Sequence, residues 1–275
     1  MLPNHFCFEI TIITIVTIIL YIPKEHEHVE VVKNINIVVA NNLVIWNRKK
    51  LKHKSLLIKN FDFIIKILKG MIYMEKFYFE SPSLERKNEI IEYLDEFVEY
   101  GSNINGSGSL DKIYDGYTFE EVLERCLNME NEEYSKKFER CPAKTFLLIR
   151  ESDNKIVGTI NIRWNLNEKM LQFGGHIGYG IRPTERRKGY NKINLYLGIL
   201  EARKLGLEKV MLDCDVNNLG SDRTLKALGG KLERTEVDPS DGVLTNVYWF
   251  DVEETINNYK TIYEPFLCIN NSKIK

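Results

Sequence analysis

The stretch IRPTERRKGYNK, residues 181–192, decides how the rest of the chain is read. Pro183 closes the apolar run HIGYGI (176–181), charged residues fill 185–188, and Gly189 stands at the entrance to a segment with Ile193, Leu197 and Leu200 at helical spacing. A strand that passes through a basic, glycine-containing turn into a helix makes an anion site. The first N–H groups of a helix lack internal partners, and the macrodipole makes that end positive. Gly189 has no Cβ, so a bulky anion reaches the backbone closely, and Arg186, Arg187 and Lys188 add charge around it. Phosphate or pyrophosphate is the natural guest.

The familiar nucleotide motifs are absent. There is no GxxxxGK[ST], and Gly175, Gly178 and Gly180 lie on the strand itself rather than between strand and helix. The net charge of −1 gives no global field toward nucleic acid or an anionic membrane. The five cysteines are scattered with no CxxC pair, which supports neither a zinc site nor a disulfide framework. A reducing, cytoplasmic compartment is the expectation.

Composition changes at Met74. Of the 17 glycines only Gly70 precedes it, and of the 5 histidines only His176 follows it. Two readings of residues 1–73 stay open. FCFEITIITIVTIILYI (6–22) is at the short limit for a membrane span, yet it carries Glu9 and lacks the preceding basic residues of a signal peptide. Alternatively, residues 1–73 are an extension produced by a mis-assigned start, since LKGMIYMEK suits a ribosome-binding site ahead of Met74. The expected division is therefore 1–73 as extension, 74–255 as the folded domain and 256–275 as a C-terminal tail.

Within that domain EKFYFE (75–80) alternates as a strand, and Ser81–Pro82 signals a helix start, with Leu84, Ile91, Leu94 and Val98 at helical spacing. A polar Gly/Ser-rich loop (101–116) leads to a helix over 119–129. Runs 144–150 and 155–164 form a hairpin through ESDN. Strand 176–183, helix 190–205, strand 209–216, helix 221–228 and strands 231–235 and 246–250 follow. This order predicts an α/β protein of the α+β type, with a mixed, mostly antiparallel sheet flanked by helices.

The run RRKGYN (186–191) resembles the R/Q-x-x-G-x-G/A signature of the GNAT acetyltransferase superfamily, HIGYGIRP its fourth strand, and DCDVNNLGS (213–221) its fifth strand and following turn. The resemblance covers roughly residues 75–252. It implies a GNAT fold and acetyl-CoA as cosubstrate without a metal. Ile181, Arg186, Arg187, Lys188, Gly189, Tyr190, Asn191, Asn218 and Ser221 would then lie against the cosubstrate. It further implies N-acetyl transfer to a small-molecule or peptide amine, no nucleic-acid partner, and a tendency to homodimerise. Two positions depart from the pattern: Asn191 stands where Gly or Ala is usual, and Leu225 stands where many relatives carry the tyrosine that protonates the departing thiolate. His176, on the strand expected to line the site, is the candidate general base, or else a strand histidine or a substrate hydrogen-bonder. Tyr179 and Tyr190 are candidate acids. The competing functions are an acyl-CoA-binding domain without turnover and an acetyltransferase tethered to a membrane through 6–22.

Overall fold

Two strands buried on both faces organise the domain. β4 (Ala143–Arg150) and β5 (Lys155–Arg163) are near-continuous apolar runs because helices cover both sides of their sheet. They pair antiparallel from Ala143 opposite Arg163 to Arg150 opposite Lys155, with a register shift at Leu148/Ile149. β3 (Phe77–Glu80) lies outside β4 and β6 (Ile177–Ile181) outside β5, giving the order β3-β4-β5-β6. A second antiparallel sheet has the order β7-β9-β8, from β7 (Lys209–Asp215), β8 (Lys231–Val237) and β9 (Leu244–Asp251).

The computed structural model describes residues 37–38, 45–46 and 74–268. The chain divides into two units, Met1–Lys69 and Gly70–Lys275. In the first, β1 (Ile37–Val38) pairs antiparallel with β2 (Ile45–Trp46). The candidate span 6–22 lies outside the described residues. Among those described, no helix is long and apolar enough to cross a membrane.

Alternation along β4 divides the core in two. Leu147 and Ile149 point toward α1 (Lys87–Glu99) and α2 (Phe119–Asn128), meeting Tyr93, Leu94, Phe97 and Val122. Phe146 and Leu148 point the other way, toward the larger cluster that includes Leu195, Tyr196 and Ile199. Two short helices, α3 (Glu132–Lys136) and α4 (Glu168–Gln172), lie in the connections. α5 (Tyr190–Lys204) and α6 (Leu219–Ala227) follow β6 and β7.

Two expectations need correction. The first helix begins at Lys87 and not at Ser81–Pro82. Arg86 donates to both Glu80 carboxylate oxygens, at 3.0 and 2.9 Å, and to Asn154 Oδ1 at 2.8 Å, which ties residues 80–86 to the hairpin turn before the helix starts. The expected tail is also structured where it is described. α7 (Val252–Tyr263) is N-capped by Asp251, whose carboxylate accepts the Glu254 N–H at 2.9 Å. It buries Val252, Ile256 and Tyr263, and Cys268 N–H then donates to Phe77 O at 3.1 Å beside β3.

The 101–116 loop is anchored along its length. Leu110 is fully buried and Leu110–Asp115 forms a 3₁₀ turn. At Gly106 the backbone has φ +72°, and a Cβ there would lie 2.6 Å from Tyr179 Cα. The loop therefore rests directly on the main chain of β6. Gly106→Ala is expected to cost about 3 kcal/mol or more in urea denaturation, through clash as well as φ strain. Gly101→Ala, where φ is +58° but nothing lies within 4 Å, should cost about 1 kcal/mol.

Candidate active site

β6 and β7 are neighbours without a ladder between them. At one end His176 N–H donates to Met211 O at 2.7 Å, and Met211 N–H donates to the His176 imidazole Nδ1 at 3.0 Å. Gly175 is required at this junction: its φ is +57°, and a Cβ would stand 2.3 Å from Met211 O. Beyond it, Arg163 N–H donates to His176 O and Arg182 N–H to Val157 O, so the even-numbered residues of β6 bond β5. The N–H and C=O groups of Ile177 and Tyr179 consequently face away from β5, toward the β7 side.

The side chains of β6 also sort by parity. Ile177, Tyr179 and Ile181 join the core beneath α5 and α6. Gly178 and Gly180 face the 101–116 loop, where a Cβ on Gly180 would meet Asn105 O at 2.7 Å.

The turn 182–189 connects β6 to α5. Arg187 has φ +64°, and Gly189, the N-cap of α5, has φ +85° with nothing within 4 Å of its Cβ position. No acidic residue lies in the first turn of α5 and no side chain caps it. Left-handed residues at a helix start turn successive N–H groups toward a common outward point, which is an anion cradle. The basic residues of the turn divide in role. Arg186 folds back over the Phe97 ring, donating to Ile181 O at 3.1 Å and Ser102 Oγ at 3.0 Å. Lys188 pairs with Glu185 at 2.7 Å. Arg187 is exposed beside Gly189.

Glu185 is buried and accepts from Arg150 at 2.8 and 3.2 Å as well as from Lys188. Burial acts to raise its pKa, but the hydrogen bonds from Arg150 and Lys188 prevail and hold it below the ordinary carboxylate value. Tyr190 packs on Phe77 with ring centroids 4.8 Å apart. Arg182 is buried with ion pairs to Glu92 and Glu96, both at 2.5 Å. Sequence reasoning had missed Arg150, Arg182 and Glu185. A charge closing an apolar strand run was the one signal for Arg150 and Arg182, while Glu185 is masked by the charged residues that follow it.

On the α6 side, Asn218 is the N-cap and its side-chain oxygen accepts Ser221 N–H at 3.1 Å. The hydroxyls of Ser221 and Tyr179 lie 2.6 Å apart. Burial pushes the Tyr179 phenol above its ordinary value. Asn191 donates to Thr224 Oγ1 at 3.4 Å, while its own side-chain oxygen is buried without a partner. Leu225 is fully buried. The structure thus gathers Tyr179, Asn191, Asn218 and Ser221 on the α5/α6 side of β6. His176 stands at the junction, beside Trp249, with burial and then Arg163 lowering its pKa to about 4.

Residues 108–229 match the family model described as acetyltransferase (GNAT) family. Solved structures of similar fold include the ribosomal-protein-S5-alanine acetyltransferase from Vibrio fischeri, with 18% identity and a TM-score of 0.48 over 66% of this chain and 95% of that one. The microcin C7 self-immunity acetyltransferase MccE, in complex with acetyl-CoA and AMP, gives 17%, 0.47, 64% and 92% by the same measures. A spermidine N-acetyltransferase from Vibrio cholerae gives 13%, 0.46, 66% and 98%. No curated protein matches the chain.

Glu185 sets a pH test of the turn. Because its folded pKa is depressed, its contribution is present above the unfolded glutamate value of about 4.3 and is lost as pH falls through the folded value. Glu185→Gln should cost about 1.5–3 kcal/mol at pH 7. Melting curves from pH 7 to 3 should show the variant falling less steeply at the acid end than the wild type.

Proposed function

We propose that the chain, whose residues 108–229 match the acetyltransferase (GNAT) family model, is an acyltransferase that moves the acetyl group of acetyl-CoA directly to a primary amine. The observation that carries this reading is the gap between β6 and β7, which opens beside the left-handed turn at Arg187 and Gly189. The outward N–H groups of that turn and of the first residues of α5 take the pyrophosphate, with Arg187 adding charge. Lys188 acts through Glu185, and Arg186 positions the turn by holding Ile181 O. Asn218 and Ser221 place the start of α6 against the acyl-carrying arm.

The reaction forms one N–C bond and breaks one C–S bond, with the electron pair passing to sulfur and the amine proton to water. Main-chain N–H groups of β6 that face away from β5 polarise the thioester oxygen. Leu225 offers no proton, so the thiolate meets the Tyr179 hydroxyl, supported by Ser221. A CoA thiol ionises near the cysteine value, about 8.5, well below Tyr179, so Tyr179 donates a hydrogen bond to sulfur and keeps its proton. His176 is neutral at pH 7 and already accepts the Met211 N–H through Nδ1. Of the roles open to it from sequence, it takes that of a strand histidine that positions the junction, not that of the candidate base.

The domain that does this begins near Met74 and works in a reducing compartment, where its buried thiols Cys126, Cys141 and Cys214 stay free. A second reading, an acyl-CoA-binding domain without turnover, is favoured by Leu225 alone.

Thermal unfolding of the full chain with acetyl-CoA at about 100 times its dissociation constant should show about 2.7 kcal/mol of stabilisation. Gly189→Glu should remove the shift. An unchanged melting curve with wild type, or a retained shift in Gly189→Glu, overturns the cosubstrate assignment. Tyr179→Phe should keep the shift and lower turnover about 10- to 100-fold. A shift without turnover of any amine selects the second reading.

A further inference from the structure

A cavity of about 570 Å³ lies between the 101–116 loop and the edge of the β4–β5 hairpin, on the side of β6 opposite Tyr179. Arg163 forms part of its floor. The guanidinium Nη1 donates to Gly174 O at 2.9 Å and Gly175 O at 3.0 Å. Its Nη2 reaches toward Gly178, lying 3.2 Å from where a Cβ on that residue would stand. Arg163 thus sits beside the junction at which β6 leaves β7.

The charge balance of this cavity is unusual. Arg140, Arg163 and Lys169 all line it, and none of them takes part in an ion pair among the described residues. Arg140 has one side-chain hydrogen bond, to Ser109 Oγ at 3.3 Å. Burial pushes the Arg163 pKa below its ordinary value against the opposing charge of Asp213, and Arg140 adds a smaller effect in the same direction as burial. Two carboxylates share the lining, Asp111 and Glu139, and Asp111 is hydrogen-bonded by Ser107. Asp213, near Arg163, spends one oxygen on Gly174 N–H at 2.5 Å. A desolvated guanidinium held by neutral carbonyls, with Asp213 nearby but not in an ion pair with it and a second guanidinium on the same lining, is costly to leave without a closer anion.

We infer that this cavity takes an anionic group of the acceptor, a carboxylate or phosphate on the same small molecule as the amine, with Arg163 and Arg140 binding it beside the β6–β7 gap. The inference rests on the acetyl-transfer reading and names its substrate class. A polycationic amine is disfavoured, because cations outnumber the two carboxylates, Asp111 and Glu139, on the lining. Glycine at 178 leaves room for the Arg163 head against the strand. The loop that closes the cavity is held on β6 at Gly106, so the site is formed before the acceptor arrives.

The test compares pairs that differ only in the anion: β-alanine with its amide, and phosphoethanolamine with ethanolamine, with spermidine as a polycation. Binding to the full chain is measured by calorimetry at low salt, and acetylation by thiol release. The anionic member of at least one pair should bind and turn over about tenfold better or more than its neutral partner, and the two pairs tell carboxylate from phosphate. Arg140→Ala should narrow that ratio to about threefold or less while the acetyl-CoA melting shift stays. Arg163→Gln should erase the ratio; since Arg163 also ties two main-chain carbonyls, Arg140→Ala carries the test if that variant fails to fold. Equal or better binding of the neutral amines or spermidine overturns the inference, as does a ratio untouched by Arg140→Ala. Anion-selective binding in a chain without an acetyl-CoA shift would retain the cavity assignment and sink acetyl transfer, so the two failures are distinct.

Discussion

The domain depends on how β6 and β7 are joined and then released. Adjacent strands ordinarily continue their ladder, since every unpaired main-chain group buried away from water carries a cost. Here the pairing is concentrated at one end, where His176 gives its N–H to Met211 and its imidazole accepts the return bond. A side chain thereby completes a reciprocal pair that two backbones would otherwise make. It works because the imidazole is kept neutral: a protonated Nδ1 would turn an acceptor into a donor facing another donor. Burial and the neighbouring Arg163 secure that state down to about pH 4. Past the junction the two sheets are free to part, and the N–H groups of β6 turn toward the gap instead of toward a partner strand.

The turn after β6 solves a related electrostatic problem. A cradle for an anion wants positive charge, yet four basic side chains at Arg182, Arg186, Arg187 and Lys188 would repel one another. The structure spends two of them on internal carboxylates, Arg182 on Glu92 and Glu96, and Lys188 on Glu185. Arg186 is laid over Phe97 and ties the end of β6 to Ser102. What remains outward is chiefly main chain and Arg187. The apparent excess of charge is therefore mostly scaffold, and the proposed anion would meet fixed dipoles that need no reorganisation.

Much of this was legible in the sequence where one physical rule dominates locally. The strand–turn–helix of 176–204 and the hairpin through ESDN follow from periodicity and glycine and turn chemistry, whereas Asn218 as the cap of a helix starting at Leu219 came only from the structure. Long-range pairing was not legible. Arg86 reaches Glu80 and Asn154, and that contact moves the helix start five residues beyond the Ser81–Pro82 signal to Lys87. α7 was hidden by its mixed composition, although Asp251 and Glu254 stand at capping distance. The basic residues at 186–188 were visible as a cluster, but which of them faces outward depends on Glu185 being buried, and no spacing reveals that. Tyr179 was visible as an aromatic on a strand, yet its hydroxyl partner Ser221 comes from an element 42 positions later.

Parity along β6 is what would separate the two proposed substrates. Odd-numbered residues, with Tyr179 at their centre, face α5 and α6; even-numbered ones, Gly178 and Gly180, face the 101–116 loop. Successive side chains of a strand point to opposite faces, so one five-residue strand serves two ligand sides without any intervening wall. The same geometry makes the register with β5 critical. A slip of one residue would bring Tyr179 under the loop and a glycine beneath α6, closing one side and emptying the other. Arg163 and Asn161 guard against that slip from the β5 side, since each stands opposite an even residue, His176 and Gly178 respectively. The glycines of GYG are thus as much part of the site as the charged turn that follows them.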